Sequence, residues 1–167
     1  MHVTIVQLTS KPTNYRPSDD DVFGDNQDKF PDGVEKHKGK DSEEDVSDFI
    51  GWLGDAATTG VELVNGKKVR WIKIDRNNAI ELFMPYFHNY LSIVGSMHNH
   101  DIRDFATGGN GLGESIRRLN EAYNFDGFYI VGDCTYAQPI SDWLRCLIST
   151  ADVPTKWYVG ATYDGDQ

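Results

Sequence analysis

The chain is poor in cysteine, in positive charge and in long apolar runs. It holds two cysteines in 167 residues, Cys134 and Cys146. Two thiols cannot build a disulfide scaffold, and these two lack metal-ligand spacing, so both are expected to be reduced. Lysine and arginine total 16 against 26 aspartates and glutamates, a formal net charge of −10. So few cations argue against direct nucleic-acid binding, which works by displacing counterions from phosphates. The same balance disfavours docking on an anionic membrane surface. No apolar stretch approaches the roughly 20 residues of a membrane span. The first residues, from Met1 to Leu8, carry no basic region and read as a strand rather than a signal peptide, so the cytoplasm is the expected location. No Gly-x-Ser-x-Gly is present, which leaves serine-nucleophile chemistry without a framework.

Apolar residues make up 39% of the chain and aromatics 12%, enough for a real core in one domain over residues 1–167. The first strand is expected over residues 2–8, where β-branched and apolar types dominate. From residue 9 to 41 the pattern collapses under Pro12, Pro17, Pro31, Gly24, Gly33 and Gly39. That segment reads as a long acidic loop or arm, with Val22, Phe23 and Phe30 available to pin it. Ser42-Glu43-Glu44-Asp45 opens a helix ending near Asp55, with Val46, Phe49, Ile50 and Leu53 on its buried face. Residues 61–64 and 69–74 flank Asn65-Gly66, a pair suited to a type I′ hairpin turn. Asp75-Arg76-Asn77 caps a second helix whose apolar stripe is Ile80, Phe83, Met84, Phe87 and Leu91, interrupted by Pro85.

Residues 90–97 are apolar enough to read as a central fourth strand. A third helix follows Gly113, with Ile116, Leu119 and Tyr123 inward. Further strands are expected at 127–132 and 156–161, and a fourth helix after Pro139. This alternation predicts an α/β (or α+β) fold with parallel crossovers: a mixed sheet of about six strands with three to four helices. Trp52, Trp71, Trp143 and Trp157 fall on amphipathic elements and read as core.

Chemistry-bearing groups crowd at one place, His98, His100 and Asp101, with Asp104 close by. Residues two apart on a strand share a face, so a strand reaching residue 100 would aim both imidazoles one way. Two imidazoles and a carboxylate suit a divalent metal such as zinc, able to activate water for hydrolysis. Asp133, after the next strand, is placed to reach the same rim. The plain alternative is a pair of histidines in a polar loop and no cofactor at all.

Gly95-Ser96-Met97-His98-Asn99-His100, followed by Phe105-Ala106-Thr107-Gly108-Gly109-Asn110, resembles the core of the JAMM/MPN-type metalloproteases over about 40 residues. The resemblance implies zinc held by His98 and His100 and a peptidase reaction. Thr107 stands in place of the family's serine and Asn110 in place of its aspartate ligand, with a spacing one residue short. Glu62 and Glu81 are candidates for the upstream catalytic glutamate. These departures imply a degenerate, non-catalytic relative.

The other candidate is the acidic front. Residues 11–48 carry 12 acids and 6 bases, so −6 of the −10 lies there. Asp19, Asp20, Asp21, Asp25, Asp28, Glu43 and Glu44 are the expected partner-binding carboxylates. Such a surface can imitate nucleic-acid phosphates and occupy the groove of a basic protein that handles DNA or RNA, as small phage and mobile-element inhibitors do. The plain alternative is a solvated, disordered arm. The loop Gly109-Asn110-Gly111-Leu112-Gly113 precedes a helix as nucleotide loops do, but Glu114 falls where the fingerprint needs its third glycine. Two readings therefore stand: an acidic protein that acts by binding a basic partner, and a metal-dependent hydrolase.

Overall fold

The computed structural model describes residues 2–24, 27–133 and 136–166. Its strands are β1 (His2–Thr9), β2 (Gly33–Lys36), β3 (Ala57–Val64), β4 (Lys67–Ile74), β5 (Phe128–Val131), β6 (Ala137–Pro139) and β7 (Lys156–Asp166). Its helices are α1 (Asp19–Gly24), α2 (Lys40–Leu53), α3 (Arg76–Glu81), α4 (Met84–Met97), α5 (Ile102–Thr107), α6 (Leu112–Tyr123) and α7 (Ile140–Ser149). The strands form one mixed sheet in the order β3-β4-β7-β1-β5-β6.

The 11-residue β7 is the spine. Antiparallel β1 lies along one side of it, and parallel β5 lies beyond β1. The other side of β7 is shared by two strands placed end to end. β4 pairs with its start, Trp71 opposite Tyr158, and β2 with its finish, Glu35 opposite Asp164. A β-bulge locks this frame. Gly160 and Ala161 of β7 together oppose the single Gln7 of β1. The fully buried Gln7 accepts a hydrogen bond from the Ala161 amide at 3.0 Å and donates to the Tyr15 carbonyl at 3.0 Å. Glycine is required at 160 because an added Cβ would stand 2.1 Å from Gln7 Oε1.

Alternation along β1 sends side chains to two cores. Val6 and Leu8 join Phe49 and Leu53 of α2, Ile72, Ile130, and Trp143, Leu144 and Leu147 of α7. Val3 and Ile5 point the other way and meet Val22, Phe30, Tyr129 and Tyr163. The helices α2 and α7 thus cover one face of the sheet, and the front segment covers the opposite one.

Several expectations hold. The hairpin is present, with Asn65 and Gly66 both at positive φ (51° and 78°). Asp75 caps α3 by accepting from the Asn77 and Asn78 amides, and Pro85 separates α3 from α4. Trp143 is buried and the other tryptophans are half-buried.

Others are corrected. Residues 90–97 are not a strand; they lie inside α4. The chain runs on as helix there because Tyr86, Tyr90 and Ile93 fall at helical spacing on the covered side of α4. Among the described strands only β1 and β5 pair in parallel, so the expected series of parallel crossovers is absent. The front segment is not one loop: it carries α1 and β2, and Val22 and Phe30 are fully buried. Phe23, the third expected anchor, is half-buried. The stripe Ile80, Met84, Phe87 and Leu91, expected in the core, is 40–53% exposed. Ile116 and Tyr123 of α6, expected inward, are exposed as well.

Candidate functional site

Two places in the fold gather the residues that could act. The first is the turn between α4 and α6. His98 is the residue after the last turn of α4 rather than the end of a strand, so the two imidazoles do not project from one strand face. Asp101 is the N-cap of α5. Its Oδ1 accepts from the Arg103 amide at 2.8 Å and the Asp104 amide at 3.0 Å. Asp104 answers by accepting from the Asp101 amide at 3.3 Å, which completes a capping box.

The second oxygen pair of this knot is equally engaged. His100 Nδ1 lies 3.2 Å from Asp104 Oδ2, and Asn110 Nδ2 donates to Asp104 Oδ1 at 2.5 Å. Burial pushes the Asp104 pKa up, but the bonds from Asp101, His100 and Asn110, with the charge of His100, outweigh it and hold the carboxyl below its usual range. Asn110 sits at φ 50°, a left-handed conformation that asparagine tolerates. Thr107 donates to the Arg103 carbonyl at 2.8 Å. The residues matched to the zinc motif therefore work as caps and braces that turn the chain from α4 into α6.

Candidates from elsewhere do not join them. Asp133 accepts from Ser10 at 2.9 Å, past the end of β1. Glu62 pairs with Lys156 at 2.9 Å, on the half-buried side of β3. Among the described residues, no group of three or more His, Cys, Asp and Glu side chains is arranged to hold a metal ion. The Cys134 position lies outside the described residues, and Cys146 is a free, exposed thiol.

The second place is the acidic front. Ser18 and Asp21 cap α1 reciprocally: the Ser18 amide donates to Asp21 Oδ2 at 3.1 Å, and the Asp21 amide to Ser18 Oγ at 3.1 Å. The Ser18 side chain first, and then the Ser18 amide, stabilise the ionised Asp21 carboxyl and hold it below its usual range. The spacing Ser18-x-x-Asp21 is a capping signal that was there to be read in the sequence. Asp20, Asp21, Asp28, Glu43 and Glu44 are exposed, and Asp19 is half-buried. Asp25 lies outside the described residues.

These carboxylates do not sit on one face. α1 packs into the core on one side of the sheet through Val22, and α2 into the other through Phe49 and Leu53. The acidic band therefore wraps the edge formed by β2, which carries Glu35 opposite Asp164. His37 is stitched into the band through Asp45 at 2.7 Å. Burial pulls the His37 pKa down, but the Asp45 hydrogen bond and the charges of Asp45, Asp164 and Asp41 prevail, so its pKa is raised. Arg16, Lys36 and Lys38 interrupt the band beside Asp19 and Asp20. Along α2 the exposed side is more uniformly negative, with Asp41, Glu43, Glu44 and Asp48, and Lys40 paired to Glu44 at 3.2 Å.

No helix among the described residues is long and apolar enough to cross a membrane. No family model, no curated protein and no solved structure matches the chain.

Proposed function

We propose that this protein acts by binding a partner with a basic surface, through the carboxylates that run from α1 around β2 to α2. One observation carries the reading: the segment bearing most of the negative charge is anchored to the sheet by Val22 and Phe30, while Asp20, Asp21, Asp28, Glu43 and Glu44 stay exposed. Carboxylates held on folded elements need little ordering when they meet a partner, and a concentrated negative field speeds encounter. A band that wraps a sheet edge has the shape of an insert for a groove. The partner class this favours is a basic protein that handles nucleic acid, with the band standing in for phosphates.

Metal-dependent hydrolysis at His98, His100 and Asp101 is the weaker reading. It would require the Asp101 carboxylate to leave the first turn of α5, where two backbone amides already hold it.

The test is a competition. A basic DNA-binding protein is loaded with labelled duplex DNA, and the chain is titrated in. The expected result is displacement that weakens as salt rises. A variant combining Asp20→Asn, Asp21→Asn, Glu43→Gln and Glu44→Gln should displace at least about tenfold less well, the loss of about 1.4 kcal/mol. No displacement, or equal displacement by the variant, would sink the proposal.

A further inference from the structure

Two stretches far apart in the sequence carry positive charge and no acid. Residues 11–18 hold Lys11 and Arg16, and residues 63–74 hold Lys67, Lys68, Arg70 and Lys73. The fold brings them together, in a chain of net charge −10. The front stretch lies over the face of the sheet that holds Val22 and Phe30. It is pinned there by the bond from Gln7 to the Tyr15 carbonyl and by the Tyr163 hydroxyl, which donates to the Pro17 carbonyl at 2.6 Å. Alternation along β4 puts Lys67 and Val69 on that same face, opposite the side of the core residues Ile72 and Ile74. Between the front stretch and the hairpin end is a hollow of about 140 Å³, bordered by Thr13, Asn14, Arg16, Asn65, Lys67 and Lys68. Among the described residues no carboxylate lines it.

The Arg16 guanidinium is held in place at this hollow. The side chain is half-buried, and its Nη1 donates to the Thr13 and Tyr15 carbonyls, both at 2.8 Å. Those bonds fix the guanidinium plane. They leave its other edge, the Nε–Nη2 fork, without a hydrogen bond among the described residues. Lys40, Arg117, Arg145 and Lys156 each have a carboxylate partner, whereas Arg16, Lys67 and Lys68 join no ion pair among the described residues. Burial pulls the Arg16 pKa down, and the nearby Tyr163 offsets only part of that. An anion on the fork would recover the cost of this burial through two parallel charge-assisted hydrogen bonds.

We propose that this hollow binds a phosphoryl group, free as phosphate or carried by a small molecule, with the Arg16 fork on two of its oxygens and Lys67 and Lys68 balancing the remaining charge. Charge selects this class. A phosphate monoester carries about 1.5 to 2 negative charges at pH 7, which three cations match better than they match a single carboxylate. Size agrees with it. About 140 Å³ accepts a phosphoryl group with a short stem, not a strand of nucleic acid. A strand also needs cations spread along its backbone and aromatic faces for its bases, whereas these cations border one hollow.

The neighbouring acids are otherwise placed. Arg16 also borders a second hollow toward α1, but Asp19 and Asp20 line that one and already supply negative charge there. Glu62, opposite Val69 in register, is tied to Lys156. None of the carboxylates proposed to meet a basic partner takes part, so the phosphoryl site and that capture can fail separately.

The experiment is proton–nitrogen NMR of the full chain, titrated separately with inorganic phosphate, glycerol 3-phosphate and acetate, with chloride holding the ionic strength constant. The expected result is saturable shifts of the amides of residues 13–16 and 65–69 with both phosphates, and far weaker ones with acetate. Tighter binding of glycerol 3-phosphate identifies the ligand as a phosphorylated small molecule, and equal or tighter binding of inorganic phosphate identifies it as the free ion. Arg16→Lys keeps the charge but loses the fork, and should weaken phosphate binding at least about tenfold. Lys67→Gln, at the exposed end of the hairpin, should weaken it in the same direction while the rest of the spectrum stays in place. Lys38→Gln, which borders only the second hollow, should leave it unchanged. No saturable shift at these amides well into the millimolar range of phosphate overturns the proposal. So does an Arg16→Lys or Lys67→Gln variant that binds as tightly as the parent, or a Lys38→Gln variant that loses as much as Arg16→Lys. Binding of an oligonucleotide without binding of either small phosphate overturns it as well.

Discussion

β1 and α4 are both apolar stretches, and the fold treats them oppositely. In β1, Val3, Ile5, Val6 and Leu8 are all buried, split between two cores. In α4, a single side chain of 14 residues is buried. The difference lies in their neighbours. β1 sits between β7 and β5, with covering layers on both faces of the sheet. Among the described residues α4 packs on α6 and on Phe125, while Met84, Phe87 and Leu91 on its outer side are 40–53% exposed. Apolar composition alone does not place a segment inside; a segment is buried when enough of its own chain returns to cover it.

The same substitution in both elements tests that contrast most directly. Leu8→Ala should destabilise the chain by about 2–5 kcal/mol, because it opens a cavity in a closed core. Leu91→Ala should cost the chain about 1 kcal/mol or less, because the side chain is half in water already. Chemical denaturation at low protein concentration reads both. Equal losses would mean that α4 is covered after all.

The bulge sharpens the contrast from the buried side. Gly160→Ala should cost about 1–3 kcal/mol, since its Cβ would overlap Gln7 Oε1. Combined with Gln7→Ala, the loss should be smaller than the sum of the two, because the clash disappears with its partner. A double-mutant cycle on urea midpoints measures the coupling, and strict additivity would contradict the close approach.

At the far end of α4, Asp101→Ala should cost about 1 kcal/mol through loss of the cap on α5. Asp101→Ser should recover most of it, because a hydroxyl can accept the same amide hydrogen bonds. A residue needed as a metal ligand would not tolerate serine, so failure of Ser to restore the thermal midpoint would favour the metal reading.

The smallest effect is the pH response of His37. Its pKa is raised in the folded chain, so protonated His37 stabilises the fold. That contribution is full below the unfolded value of about 6.5 and is lost as pH rises through the folded pKa. Asp45→Asn should move the His37 titration, followed by proton NMR, toward lower pH. An unmoved titration would show that Asp45 is not its partner.

Much of the fold was legible in local chemistry. Asn65-Gly66 announces its hairpin because those two residues accept positive φ, and the alternation on β4 follows from it. Pro85 announces the break between α3 and α4 because it lacks an amide hydrogen. Val46, Phe49 and Leu53 announce α2 by their spacing. The site was less legible. His98, His100 and Asp101 look like ligands because a spacing of two is read as a strand face, whereas Asp101-x-x-Asp104 is also a helix cap. α1 and β2 escaped notice because proline and charge dominate residues 9–41, while their two anchors, Val22 and Phe30, are isolated in the sequence.

What the sequence by itself determined is therefore local: turns, caps, breaks, the periodicity of α2 and α7, and the concentration of negative charge at the front. Only the tertiary structure decided which apolar segments are covered, that Val22 and Phe30 close one face of the sheet, and that residues 90–97 are helix. Turn and cap energies belong to a few adjacent residues, so they can be read along the chain. Burial belongs to pairs of segments far apart in it, so an uncharged apolar run such as 82–100 reads the same whether its own chain covers it or leaves it facing water.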